Sequence, residues 1–113
     1  MQIITGTLSL DALKKMAADG FGDLVKAVVD IDRELVAVDA ELHADLEAHL
    51  LQDGSSQKSL WGINLYPAVP GNEWIEFDSM INVRPSQGNR SRGVDDEAIR
   101  NKIIQIVNQR IAR

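Results

Sequence analysis

The sequence contains no cysteine, which excludes thiol nucleophiles, cysteine-ligated zinc, disulfides and redox switching. Histidine is scarce: His43 and His49 are the only two, too few for a three-histidine zinc centre. Aromatic residues amount to 4%, little material for a base-stacking surface. No stretch approaches the roughly 20 apolar residues of a membrane span; runs such as Ala27-Val28-Val29 are broken by charge within a few residues. The start, Met1 to Gly6, has neither the basic region nor the apolar stretch of an export signal, so a cytoplasmic location is the expectation.

What remains is 113 residues, 44% hydrophobic and 26% charged. That is enough apolar material for one domain, 1–113, to bury a core without a metal or a disulfide. The charge is unevenly spread. Residues 1–83 hold five basic and fourteen acidic side chains, a balance of −9, whereas residues 84–113 hold seven basic and three acidic ones, a balance of +4. An acidic body with a basic end invites an anionic partner or a second copy of the chain. It disfavours nucleic acid, whose phosphates the acidic body repels.

Apolar spacing gives the elements. Gln2 to Thr5 reads as an edge strand, and Leu10, Leu13, Met16 and Ala17 recur at helical spacing before Gly20 and Gly22. Asp23 to Asp32 alternates, with Val25, Ala27, Val29 and Ile31 on one face, and Leu35 to Val38 is its hairpin partner. Leu42, Leu46 and Leu50 step by four and predict a helix over 42–52. Leu60 to Tyr66 and Trp74 to Val83 read as strands. Ile99, Ile103, Ile106, Val107 and Ile111 stripe a last helix capped by Asp95 or Asp96. The expected class is α+β: an order β-α-β-β-α-β-β-α, a largely antiparallel sheet, and helices packed on one face. Trp61, in phase with Ile63 and Leu65, and Phe77, in phase with Ile75, read as core; Trp74 is out of phase and expected to be exposed.

Four runs carry a resemblance: Gly22 to Ile31, Glu41 to Asp45, Leu60 to Pro67, and Ile81-Asn82-Val83-Arg84-Pro85-Ser86-Gln87-Gly88-Asn89-Arg90-Ser91-Arg92-Gly93-Val94. Together they resemble a family of small bacterial proteins classed as a domain of unknown function. The likeness covers essentially the whole chain and implies a single stand-alone domain. It brings no activity, substrate or catalytic residue with it.

The segment 84–93 asks for a chemical reason. It places three guanidiniums, Arg84, Arg90 and Arg92, among Ser86, Gln87, Asn89 and Ser91, with Gly88 and Gly93 to free the backbone. Guanidinium forks grip phosphate and carboxylate through paired hydrogen bonds. The expectation is an anion-binding loop for a phosphorylated or otherwise anionic small molecule, extending to hydrolysis if a catalytic group stands nearby. No P-loop or dinucleotide fingerprint is present. Asp95, Asp96 and Glu97 already occupy the positive end of the last helix, so the anion is expected on the guanidiniums. The competing expectation is self-association, in which the same arginines neutralise acids of the body or of a partner copy.

Three side chains are candidates for catalysis. His43 precedes Glu47 by one helical turn, and Glu76 and Asp78 share one face of their strand with Asn82 and Arg84. His49 pairs in the same way with Asp45. A metal held by Asp30, Asp32, Glu76 and Asp78 would require two strand faces to meet, and their spacing matches no known loop. No metal site and no cofactor are therefore expected.

Overall fold

A computed structural model describes residues 1–113. Its five-stranded sheet has the order β1-β4-β3-β5-β6, built from Gln2–Ile4 (β1), Val25–Asp30 (β3), Leu35–Val38 (β4), Leu60–Leu65 (β5) and Ile75–Glu76 (β6). Every neighbouring pair in it is antiparallel. Leu8–Ser9 (β2) and Ile111–Ala112 (β7) form a separate parallel pair. Three helices complete the chain: Leu10–Asp19 (α1), His43–Gln52 (α2) and Glu97–Arg110 (α3). The class is α+β. The two short strands β2 and β7 add to the order read from the sequence.

Helices cover both faces of the sheet, not one as the alternation suggested. On one face Val29, Val36, Val38, Trp61 and Ile63 join Leu13 of α1 and Ile103, Ile106 and Val107 of α3 in the main core. On the other, Leu46 and Leu50 of α2 bury Val28, Ala37 and Leu60. The reason lies in β4, whose four residues are all apolar and all buried, the pattern of a strand covered from both sides. Lys26 and Asp30 had given the second face a wet appearance, but Val28 between them is fully buried. Asp30 itself is buried in the β3–β4 turn, where Oδ1 accepts from the N–H groups of Asp32 and Arg33 and Oδ2 from the Ser55 hydroxyl.

The long strand expected over 74–83 is also shorter. β6 ends at Glu76, and a tight helical turn follows at Met80–Asn82. Ser79 crosses so close to β5 that a Cβ on Gly62 would lie 2.5 Å from the Ser79 Cβ. The place of a ladder partner is taken instead by the Asn82 side chain, which donates to the Gly62 carbonyl at 2.9 Å and accepts from its N–H at 2.8 Å. Trp74 is fully buried rather than exposed. The Arg113 guanidinium lies 4.3 Å over its ring and donates to the carbonyls of Val69 and Gly71. No helix is long and apolar enough to cross a membrane.

Candidate functional site

The segment from Arg84 to Asp96 hangs on two buried asparagines. Arg84 and Asn89 exchange backbone hydrogen bonds of 2.7 and 3.2 Å, closing a small hairpin that turns through Gly88 at φ 81°. That left-handed conformation favours glycine. The Asn89 amide then donates to the carbonyls of Asn82, Gly93 and Ser91, while its oxygen accepts from the Asp95 N–H at 2.8 Å. The Asn82 amide also reaches the Arg92 carbonyl at 2.9 Å. Buried polar groups satisfied this fully set one conformation, because each alternative leaves several of them unpaired.

The predicted ligand residues divide by this geometry. Asn89 is spent inside the loop. Ser91 donates to Asp95 Oδ1 at 2.6 Å and accepts from the Gly93 N–H. Arg84 is half-buried: Nη1 and Nη2 donate to the carbonyls of Gln57 and Leu60, and the guanidinium lies 4.2 Å over the Trp61 ring. Burial pulls its pKa down, yet a guanidinium stays charged in proteins. Ser86, Gln87, Arg90 and Arg92 remain exposed. The Arg90 guanidinium makes no hydrogen bond or ion pair. Arg92 Nε pairs with Asp78 at 2.6 Å, both side chains well exposed.

A cavity of about 360 Å³ opens between this loop and the start of α3, lined by Lys58, Trp61, Gln87, Gly88, Asp95 and Asp96 among others. Trp61 is 3% exposed, and its indole N–H has no acceptor in the protein. The Nε of Arg84, stacked on the same ring, is likewise buried without an acceptor. Asp95 is held below the usual carboxylate range, first by the Ser91 hydroxyl and then by the Arg90 N–H. Asp96 caps α3, accepting from the Ala98 and Ile99 N–H groups through Oδ1. Sequence reasoning missed Lys58 and Trp61 as lining. The phase of Trp61 signalled burial, but nothing local signalled that its edge would meet this loop.

The three catalytic candidates come together elsewhere. Asn64 of β5 donates to Glu76 Oε1 at 2.8 Å and to the Asp78 carbonyl at 3.3 Å, and the Tyr66 hydroxyl donates to the same Glu76 oxygen. His43, the first residue of α2, stands against this group with Nε2 2.8 Å from the Ile63 carbonyl. A carbonyl only accepts, so Nε2 carries the proton and Nδ1 the lone pair. Burial lowers the His43 pKa, and the nearby charge of Lys26 adds to that. Burial also raises the Tyr66 pKa, followed by the charge of Glu76. Asn64 and Trp61 lie on opposite faces of β5, so the His43 cluster and the loop cavity are separated by the sheet; the Arg92–Asp78 pair spans its edge. His49 is outside both groups. No three His, Asp or Glu side chains converge as a metal set.

The comparison that bears on identity is with protein-family models: the model described as protein of unknown function (DUF5674) matches residues 2–110. The chain belongs to that family. The 84–93 loop and the His43 cluster lie within the match, and only Met1 and residues 111–113 fall outside it. Neither a curated protein nor a solved structure matches it.

Proposed function

We propose that this protein binds an anionic small molecule, phosphorylated or carboxylated, at the 84–93 loop. The observation that carries the reading is the contrast between a rigidly built loop and the unused donors it presents. Arg90 has no partner. Arg92 has only an exposed ion pair, of a kind worth about 0–1 kcal/mol, which a ligand oxyanion can replace at little cost. The cavity between the loop and α3 adds the free ammonium of Lys58 and the unpartnered Trp61 N–H. In this reading Arg84, Asn89 and Ser91 shape the loop, and Arg90, Arg92, Ser86 and Gln87 meet the ligand. His43 stands across the sheet, so the activity proposed is binding and not hydrolysis.

Thermal shift against phosphate, sulfate, nucleotides and sugar phosphates, repeated on the Arg90→Ala/Arg92→Ala double variant, tests it. A ligand at about 100 times its Kd stabilises by about 2.7 kcal/mol, several degrees in a domain of this size. A shift lost in the variant supports the site; no shift with any anion overturns it.

A second reading has its own observation. Phe21, Leu42 and Met80 are exposed by 49–65%, and Lys26 lies between them, over the Phe21 ring and beside Leu42 and Met80. We propose as the alternative that this surface is a contact between copies of the chain. Leu42→Asp with Met80→Asp then lowers the mass seen by sedimentation. A wild-type protein that is already monomeric at high concentration removes this reading.

A further inference from the structure

We infer that the ligand of the loop cavity is an anion that also carries hydrogen-bond donors, hydroxyls or an ammonium, and not a bare oxyanion. The inference rests on the anion-binding reading above and narrows it. Its basis is that unpartnered donors and unfilled acceptors line the same cavity.

Lys58, Trp61 and the Gln87 amide nitrogen supply the donors. The Lys58 ammonium has no ion-pair or hydrogen-bond partner. The Gln87 amide makes a single long bond of 3.4 Å, to the Lys58 carbonyl. The Trp61 N–H is an unpartnered donor on a side chain almost wholly removed from water. A buried N–H without an acceptor costs roughly 1–3 kcal/mol, so an acceptor brought by a ligand recovers free energy that the protein alone leaves unclaimed. Asp95 and Asp96 supply the acceptors. Asp96 uses Oδ1 to cap α3 and leaves Oδ2 without a partner. Asp95 accepts one hydrogen bond at each oxygen, and a carboxylate has room for about four in all.

A sulfate ion drawn to Lys58 and Trp61 shares the cavity with two carboxylates that it can only repel, and inorganic phosphate has no more than one or two hydroxyls to offer them. A sugar phosphate, or an amino acid with its carboxylate toward Lys58, can satisfy these donors with its oxyanion and Asp95 and Asp96 with its hydroxyls or ammonium. The volume of about 360 Å³ falls within the range of roughly 300–1,000 Å³ typical of small-molecule sites.

Isothermal titration of the wild-type chain with ribose 5-phosphate, glutamate, inorganic phosphate and sulfate decides the matter. The two donor-bearing probes separate hydroxyl from ammonium recognition. The expected result is that at least one of them binds about ten-fold or more tighter than phosphate and sulfate. Asp96→Asn keeps a good helix cap and removes the charge, so the variant folds and the preference shrinks to within about three-fold. Lys58→Ala weakens every anion alike. Sulfate binding as tightly as the better of the two donor-bearing probes overturns the inference and leaves the anion site standing. So does a preference that survives unchanged in Asp96→Asn, which assigns the ligand to another surface. Failure of all four probes and of every anion in the thermal screen removes both readings together.

Discussion

Arg84 and Trp61 form a stacked pair, guanidinium over indole at 4.2 Å, that joins the basic loop to the central sheet. The guanidinium also donates to two carbonyls, of Gln57 and Leu60, that no other side chain reaches. Lysine has the charge without the plane or the fork. Arg84→Lys is therefore expected to lose about 1–3 kcal/mol, from the stacking and from one or two hydrogen bonds to a charged donor. Urea unfolding measures it. A loss equal to that of Arg90→Lys, which gives up no contact within the protein, would show that charge alone matters here.

Asn82 stands in for a missing strand. Asn82→Asp keeps the acceptor for the Gly62 N–H but removes the amide that serves the Gly62 and Arg92 carbonyls, and it places a charge where the side chain is fully buried. The expected loss is about 3–5 kcal/mol, the scale of an uncompensated buried charge. Denaturant midpoints with an unchanged m-value provide the check.

Gly62 and Ser79 are coupled by contact. Gly62→Ala drives its methyl to 2.5 Å from the Ser79 Cβ and 2.6 Å from its Oγ, both within a buried backbone crossing. The expected cost is about 1–3 kcal/mol, and Ser79→Gly should relieve part of it. The coupling is read from the double-mutant cycle. Additive losses would mean that the crossing relaxes freely.

Protonation of His43 opposes the fold. Its folded pKa lies below the ordinary 6.5, chiefly through burial, with Lys26 acting the same way and Ile63, Asn64 and Asp78 opposing. The unfolded chain therefore binds the proton first. Stability is unaffected above the unfolded value and falls as pH drops through it toward the folded one. His43→Gln keeps an N–H donor and removes the titration, so its stability should decline less than that of the wild type between about pH 7.5 and pH 5. Parallel declines would place the acid sensitivity in other groups.

Much of this architecture was legible before any coordinates. The alternation of Val25, Ala27 and Val29 and the stripe of Ile103, Ile106 and Val107 each identify one buried face, and both are core. Asp96 caps the last helix, one of the two residues that the sequence offered. The arginine loop does precede the last helix, but a helical turn at Met80–Asn82, and not the expected strand, leads into it. What local pattern could not convey was the use of polar side chains against distant backbone. Asn82 reads as part of a polar strand face and Asn89 as a ligand donor, yet both are buried and bond to carbonyls up to 20 residues away. The second helix-covered face was masked in the same way: Lys26 and Asp30 flank Val28 on a strand whose middle is dry. Glu76 and Asp78 read as one strand face and His43 as a separate helix residue. Their meeting depends on Asn64, whose role only the strand register reveals.

The pairing of β2 with β7, Leu8 against Ile111, has a consequence for the order in which the protein can form. All five strands of the main sheet are synthesised before α3, which supplies Ile103, Ile106 and Val107 to its larger face. A nascent chain halted near Pro85 thus carries a complete sheet whose larger face has α1 but lacks α3 to cover it. The contact between residues 8 and 111 is among the most widely separated in sequence, and its loop-closure entropy is correspondingly large. Emergence from the ribosome is therefore a waiting period, ended when the last helix reaches back to the first strands and shields the sheet from other chains.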